Sequence, residues 1–533
     1  MVTTSIMKLI VLIISLFIAL NNQQAFSAEN FLIPSAESIS PTEYFPIKLQ
    51  EFKLPPQIRS TIKSRSLGGG AITPYEDESL IFASSNGYFF KINTKLQSIA
   101  SDFLPRIDLG DDYFLTSKHI SYFESYPRIH DITYGGGTFY VSYDHYNKTI
   151  DRIEFVIEKL KLGSSKEWER IYTSPPLDVR YYTVGNGGKM QIKDGIMYFT
   201  VGDNSLDRIN QLPSDLAAQN VNIPWGKVNS INLKTNKFST VSIGHRNQQG
   251  LVMLRDGRII ASEHGPRGGD ELNIISKGKN YGWPIVSYGT KYNSYEKIHE
   301  LPLKAKHSGL LKILDYSYEN QHNELGGNSF NTIYTEPIFT FIPSIAPTQL
   351  IELTNFNEDW DGQLLMGSLK AMSLYRIKLI GNRVLYTEQI FIGQRIRDLK
   401  QLNNEIWMLT DNSSLIKLQE SNQENVTLSL VKKYQSLGRC SSCHSLVDGE
   451  NSISAPNLKG IINQPLGTRN FENYSMAFKS QKGKLIWDES NLRKFLKNPS
   501  EFIPNTSMPN LNLNDAQISE VIEALSSIAD KKH

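Results

Sequence analysis

Leu80-Ile81-Phe82-Ala83-Ser84-Ser85-Asn86-Gly87-Tyr88-Phe89-Phe90 reads as a β-hairpin: two apolar, aromatic-rich runs flank an Asn-Gly turn pair. Working outward, the same kind of run returns at Thr138-Phe139-Tyr140-Val141, Ile196-Met197-Tyr198-Phe199, Arg258-Ile259-Ile260, Gln363-Leu364-Leu365-Met366 and Ile406-Trp407-Met408-Leu409. Successive starts lie 58, 58, 62, 105 and 43 residues apart. That spacing suits four-stranded blades of an all-β six-bladed propeller, with one long insertion near residues 280–335. Hairpin spacing alone leaves another large β fold open.

The 533 residues exceed one ordinary core, so at least two folded units are expected. With 40% apolar residues, 21% charged residues and a net charge of +2, the chain lacks the basic excess that nucleic-acid binding requires. Residues 1–27 read as a signal peptide. Lys8 precedes an apolar run at residues 9–20, followed by the small residues Ala25, Ser27 and Ala28. That run falls short of the roughly 20 residues that span a bilayer. The expectation is a periplasmic or secreted protein with no integral membrane segment in the mature chain.

The chain has two cysteines, both in Cys440-Ser441-Ser442-Cys443-His444. In this spacing two thiols can attach to haem vinyl groups while the adjacent histidine reaches the iron. A redox CxxC looks the same locally, as does half of a zinc site, but no second cysteine pair completes tetrahedral zinc. Haem c needs a sixth ligand. Met508, in the proline-flanked Ile503-Pro504-Asn505-Thr506-Ser507-Met508-Pro509, is favoured over Met476, which sits in a helical stretch. Short helices are expected at residues 430–437 and around Leu492, Phe495 and Leu496. A final helix carries Ile518, Val521, Ile522, Leu525 and Ile528 at a 3.6-residue period behind an Asn514/Gln517 capping box. Residues 430–530 resemble a class I cytochrome c, including Ala455-Pro456-Asn457-Leu458 and the Met-Pro ahead of the last helix. That resemblance implies a small all-α domain that carries electrons, with His444 and Met508 as iron ligands.

Residues 30–420 hold further motifs: Ile243-Gly244-His245-Arg246-Asn247-Gln248-Gln249-Gly250, Ser262-Glu263-His264-Gly265-Pro266-Arg267-Gly268-Gly269-Asp270-Glu271-Leu272-Asn273, Asn280-Tyr281-Gly282-Trp283-Pro284, Ser368-Leu369-Lys370 and Gln394-Arg395-Ile396-Arg397-Asp398. Together they resemble the soluble sugar dehydrogenases that use pyrroloquinoline quinone, the glucose/sorbosone and aldose enzymes, from about residue 180 to 418. The resemblance implies a six-bladed propeller with quinone and substrate at one end. Asn247, Ser344, Lys370, Arg395 and Arg397 would contact the quinone, Ser344 replacing the family's threonine. Gly265 and Pro266 would give carbonyls to a calcium ion, and Glu271 with the Tyr281 carbonyl would hold a second. The residues make independent sense, since a tricarboxylate needs cations and guanidinium grips carboxylate bidentately. By themselves, the same charges also read as a solvated strand end.

The family mechanism uses a histidine base, an aspartate that orients it and an arginine that stabilises developing charge. Asp203 and Arg246 match the last two. The histidine falls at Gly185, two before Gly187-Gly188-Lys189-Met190, and glycine has no side chain to take a proton. Asp203, His245 and His264 are candidate replacements, while His130 and His145 lie far upstream. Two functions follow. One is an exported oxidoreductase that oxidises a sugar or other small alcohol with the quinone and passes electrons through its own haem to a downstream acceptor. The other is a catalytically degenerate binding propeller attached to an electron carrier. The polar residues 419–429 are the expected linker.

Overall fold

The computed structural model describes residues 31–421 and 434–528, except 41, 43–44, 60–68, 111–126, 179–184, 205–215, 267, 290–333, 413, 442, 447–450, 453–454 and 472–473. The signal-peptide region and most of the expected insertion therefore lie outside the described residues.

Six antiparallel sheets follow one another along the chain. Their first strands, Gly70–Tyr75, Ile129–Gly135, Gly187–Lys193, Gln248–Met253, Pro347–Glu352 and Ile396–Leu402, pack side by side in a closed ring. This is a six-bladed propeller. The six runs singled out in the sequence all fall in the second strands: Ser79–Ser84, Thr138–Asn147, Ile196–Val201, Ile259–Glu263, Leu364–Ser368 and Glu405–Thr410. A second strand has paired strands on both edges and a neighbouring blade on both faces, so its apolar residues run on without alternation. In the first blade Leu80 and Phe82 pack with Phe52, Trp407 and Leu409 of the sixth. Ile81 and Ala83 turn the other way, onto Ile132, Phe139 and Val141 of the second.

Closure is non-local. The sixth sheet takes Ile396–Leu402, Glu405–Thr410 and Ser414–Glu420 from one end of the domain, and Ile47–Lys53 and Ile33–Ser40 from the other. Ile47 pairs with Glu420 and Lys53 with Ser414, and Phe52 stacks on Trp407 at 5.7 Å. This pairing corrects the expected linker: Gln419 and Glu420 are strand residues, because closing the ring uses their backbone. Near the axis Lys189 Nζ lies 3.6 Å from Asp131 and 3.4 Å from Asp398, tying the second, third and sixth blades with buried charge.

Residues 434–528 form a separate apolar core with few and short helices. The lead into the motif is one 3-10 turn, Gln435–Leu437, followed by Gly438–Ser441; residues 430–433 lie outside the described set. Glu489–Lys497 buries Leu492, Phe495 and Leu496. Asp515–Ser527 is capped by Asn514 and Gln517 as a reciprocal box, and its buried stripe of Ile518, Val521, Ile522 and Leu525 meets those side chains.

Candidate active site

In each antiparallel pair the start of the first strand and the end of the second lie at the same end of the propeller. Asp203 follows a second strand, Arg246 and Asn247 precede a first strand, and His264, Gly265 and Pro266 follow a second strand. Ser344, Lys370 and Arg395 occupy the corresponding places in the fifth and sixth blades. Residues scattered over nearly 200 positions thus converge on one end. In five blades the first two strands slip register there, between Ile129/Asp131, Gly187/Met190, Gln248/Gly250, Pro347/Leu350 and Ile396/Asp398. Such bulges re-aim side chains.

The third and fourth blades contribute Asp203, Trp283 and Arg246. Trp283 Nε1 donates to Asp203 Oδ2 at 2.8 Å, and the Arg246 guanidinium lies 5.4 Å from the Trp283 ring centroid. Arg246 Nη1 also donates to the carbonyls of His264 and Gly265 at 3.1 and 3.0 Å. Its backbone N–H donates to Glu263, whose other oxygen takes His245 Nδ1 at 2.9 Å. His245 Nε2 meets Ser242, so both ring nitrogens have structural partners. His264 Nε2 faces the Pro347 carbonyl at 2.7 Å, and burial pushes its pKa down. Neither histidine is placed as a ready base. Asn247 uses its oxygen on Gly187 N–H and Gln249.

Gly185 sits beside this group, its carbonyl accepting from Asn204 N–H. The fold also brings in a histidine that sequence distance argued against. His130, bonded to Asp144 at 2.7 Å, packs so tightly on Gly188 that a Cβ there would lie 2.3 Å from its own Cβ. Asp144 also accepts from Asn186, the neighbour of Gly185. His130 and Asp144 are both nearly inaccessible, at 4% side-chain exposure.

The fifth and sixth blades contribute cations. Arg397 gives Nε and Nη2 to Asp411 at 2.7 and 3.1 Å, and Arg395 gives its Nε at 2.8 Å. Arg397 is the extra residue of the bulge opposite Thr410 and Leu409, which lets it reach the same carboxylate as Arg395. Lys370 is exposed, its N–H held by the Ile345 carbonyl. Ser344 donates to Asp270, which also accepts from the N–H groups of Gly265, Ile345 and Ala346. Asp270, Trp283 and Asp411 were missed as site residues. The first two lie within quoted motifs, whereas no motif marks Asp411.

Among the described residues no three His, Cys, Asp or Glu side chains group as a metal site. The expected calcium donors are mostly carbonyls, an oxygen set that suits a hard cation. The carbonyl of Gly265 is already shared with Arg246. Burial, reinforced by Glu263 and Asp270, pushes Glu271 up to about 8, as fits a carboxyl that takes either a proton or a cation. The Tyr281 ring stacks on His245.

A cavity of about 550 Å³ lies between the two units. Cys440, Cys443, His444 and Met508 all line it, whereas Met476 is 80% exposed on the surface. His444 Nδ1 meets the Pro456 carbonyl at 2.7 Å, leaving Nε2 for a metal, and burial lowers its pKa so that the ring stays neutral. Burial pushes the Cys440 thiol up to about 12, the opposite of a reactive redox cysteine. Donor set, apolar walls and volume fit haem c.

The profile described as Glucose / Sorbosone dehydrogenase matches residues 133–312 and 311–417. Quinoprotein glucose dehydrogenase B of Acinetobacter calcoaceticus is 29% identical over 273 residues, which is 44% of this chain and 56% of that protein. Aldose sugar dehydrogenase YliI of Escherichia coli strain K12 is 30% identical over 179 residues, 32% and 41% respectively. A cytochrome c homolog of Bradyrhizobium diazoefficiens is 33% identical over 106 residues, 20% and 56%. The chain spans about half the length of the curated relatives it matches. In fold, the apo-form soluble aldose sugar dehydrogenase of E. coli superposes with a TM-score of 0.50 at 19% identity, covering 66% of this chain and 96% of that one. The chain is a member of the glucose/sorbosone dehydrogenase family that carries cytochrome c homology at its C-terminal end.

Proposed function

We propose that the protein is an exported oxidoreductase, periplasmic or secreted, that oxidises a sugar or another small alcohol and delivers the electrons to a haem in its own C-terminal all-α cytochrome c domain. When bound, pyrroloquinoline quinone supplies the two-electron acceptor and haem c the one-electron outlet. Lys370, Arg395 and Arg397 would hold the quinone's carboxylates, with Asn247 and Ser344 as neutral contacts. Gly265 and Pro266 would give carbonyl oxygens to calcium, and Glu271 with Tyr281 to a second ion. Cys440 and Cys443 would attach the haem, and His444 and Met508 would ligate its iron.

The observation that carries this reading is the convergence of Asp203, Trp283, Arg246 and the cationic set on the propeller end that also walls the cavity beside Cys440 and His444. With no side chain at Gly185, Asp203 accepts the hydroxyl proton. The Trp283 N–H fixes its orientation, and Arg246 stabilises the alkoxide as charge develops. Tethering the haem domain keeps the electron acceptor at high effective concentration. Among the described residues no helix is long and apolar enough to cross a membrane.

The test is haem-loaded full-length protein given pyrroloquinoline quinone, calcium and a panel of aldoses and simple alcohols, with the haem absorbance followed. Reduction that requires quinone and substrate supports the reading. Quinone binding without reduction by any substrate favours the degenerate binding propeller, for which Gly185 is the supporting observation.

A further inference from the structure

Arg395 belongs to two places at once. Its Nε is fixed by Asp411, the carboxylate that also clamps Arg397. Yet Arg395 and Asp411 line the cavity that holds Cys440, His444 and Met508, and Arg397 does not. The Arg395 side chain is 41% exposed and that of Arg397 only 11%, and among the described residues the two Nη groups of Arg395 make no hydrogen bond. Met372, Phe391, Gly393, Gln394 and Asn412 complete the propeller's share of the wall. A haem seated in this cavity presents two propionate carboxylates, and an anchored guanidinium with free Nη groups is the donor that grips a carboxylate bidentately.

Resting on the haem reading above, the geometry points to a division of labour that takes Arg395 out of the quinone-holding set: Arg397, with Lys370, serves the quinone side of Asp411, while Arg395 reaches across to the haem carboxylates as a positioning residue. It docks the haem edge against the site-bearing end of the propeller and raises the haem's reduction potential. The sign follows from charge, since reduction adds one negative charge to the haem and a nearby cation favours that state.

The experiment uses haem-loaded full-length protein, with the potential read in the absence of quinone and quinone affinity measured separately by titration. A haem stain after denaturation first verifies covalent attachment in each variant, and the midpoint potential is then read by spectroelectrochemical titration. Arg395→Gln is expected to shift the potential downward, Arg395→Lys to restore most of it, and Asp411→Asn to shift it upward. Arg397→Gln should leave the potential in place while weakening quinone affinity by about tenfold or more. If the haem is attached but Arg395→Gln leaves the potential unchanged, or Arg397→Gln moves it equally, the division is wrong although the haem reading stands. If no haem attaches to the wild-type chain, both fall.

Discussion

The propeller and the C-terminal unit treat their polar groups and their space in opposite ways. At the site-bearing end of the propeller, Asp411 is shared by Arg395 and Arg397, Asp270 accepts from four donors, and Glu263 from His245 and Arg246. The charged groups there are paired within the chain, while Asn186, Asn204, Gln248 and Gln394 keep buried polar atoms without a hydrogen-bond partner among the described residues. The C-terminal unit instead lines its side of the cavity of about 550 Å³ with the apolar Leu492, Phe495, Leu496, Val521 and Leu525. On the haem reading, the apolar walls of that cavity are surface the prosthetic group would cover, so the smaller unit is expected to depend on its cofactor for stability more than the propeller does.

Blocking haem attachment is the most forceful way to break this comparison. With Cys440→Ala and Cys443→Ala together, the C-terminal unit should lose protease resistance while the propeller keeps its own unfolding transition. A haem-free C-terminal unit that stays protected would end the contrast. At the other end, Asp203→Asn should cost ~10²- to 10⁴-fold in kcat/KM, and Arg246→Gln ~10²- to 10³-fold. Both should leave quinone affinity close to wild type, and because Asp203 takes the Trp283 N–H and Arg246 donates to the His264 and Gly265 carbonyls, each should lower propeller stability by about 1–3 kcal/mol without abolishing folding. Loss of folding in either variant would show that chemistry and architecture are not separable there.

Glu271 is where the propeller departs from its own pattern, a buried carboxyl held up at about 8. A cation at hundredfold its Kd adds about 2.7 kcal/mol of stability, so calcium should raise the propeller's melting temperature, and Glu271→Gln should remove the part due to that ion. An unchanged calcium response would move the second ion elsewhere. The smallest effect is at Asn514, where alanine removes one side of the capping box and costs about 1 kcal/mol. Only the C-terminal transition should move.

The fold was legible where physical pattern is local. Second strands buried on both faces write themselves as uninterrupted apolar runs, and the last helix shows both its stripe and its cap. The haem-attachment motif is legible for the same reason, two thiols and an imidazole within five residues. Tertiary partnerships were not. Trp283 donates to Asp203 across 80 residues, and Asp270 binds the Ser344 loop across 74 to 76. His130 meets Gly188 only because adjacent first strands touch in the ring. Arg395 and Arg397 stand two apart, the spacing of one face of a regular strand, whereas a bulge at Arg397 brings both to one carboxylate. The division of that pair between two cofactors depends on how the C-terminal unit sits on the propeller, which no local motif encodes.

The most direct measurement is the rate constant of haem reduction in a stopped-flow instrument, after quinone-loaded protein is mixed with a reducing sugar or alcohol at saturating concentration, over a tenfold range of protein concentration. An intramolecular route requires a rate constant that does not change with protein concentration. A rate that rises in proportion to concentration, or no haem reduction in protein that holds both groups, would contradict it.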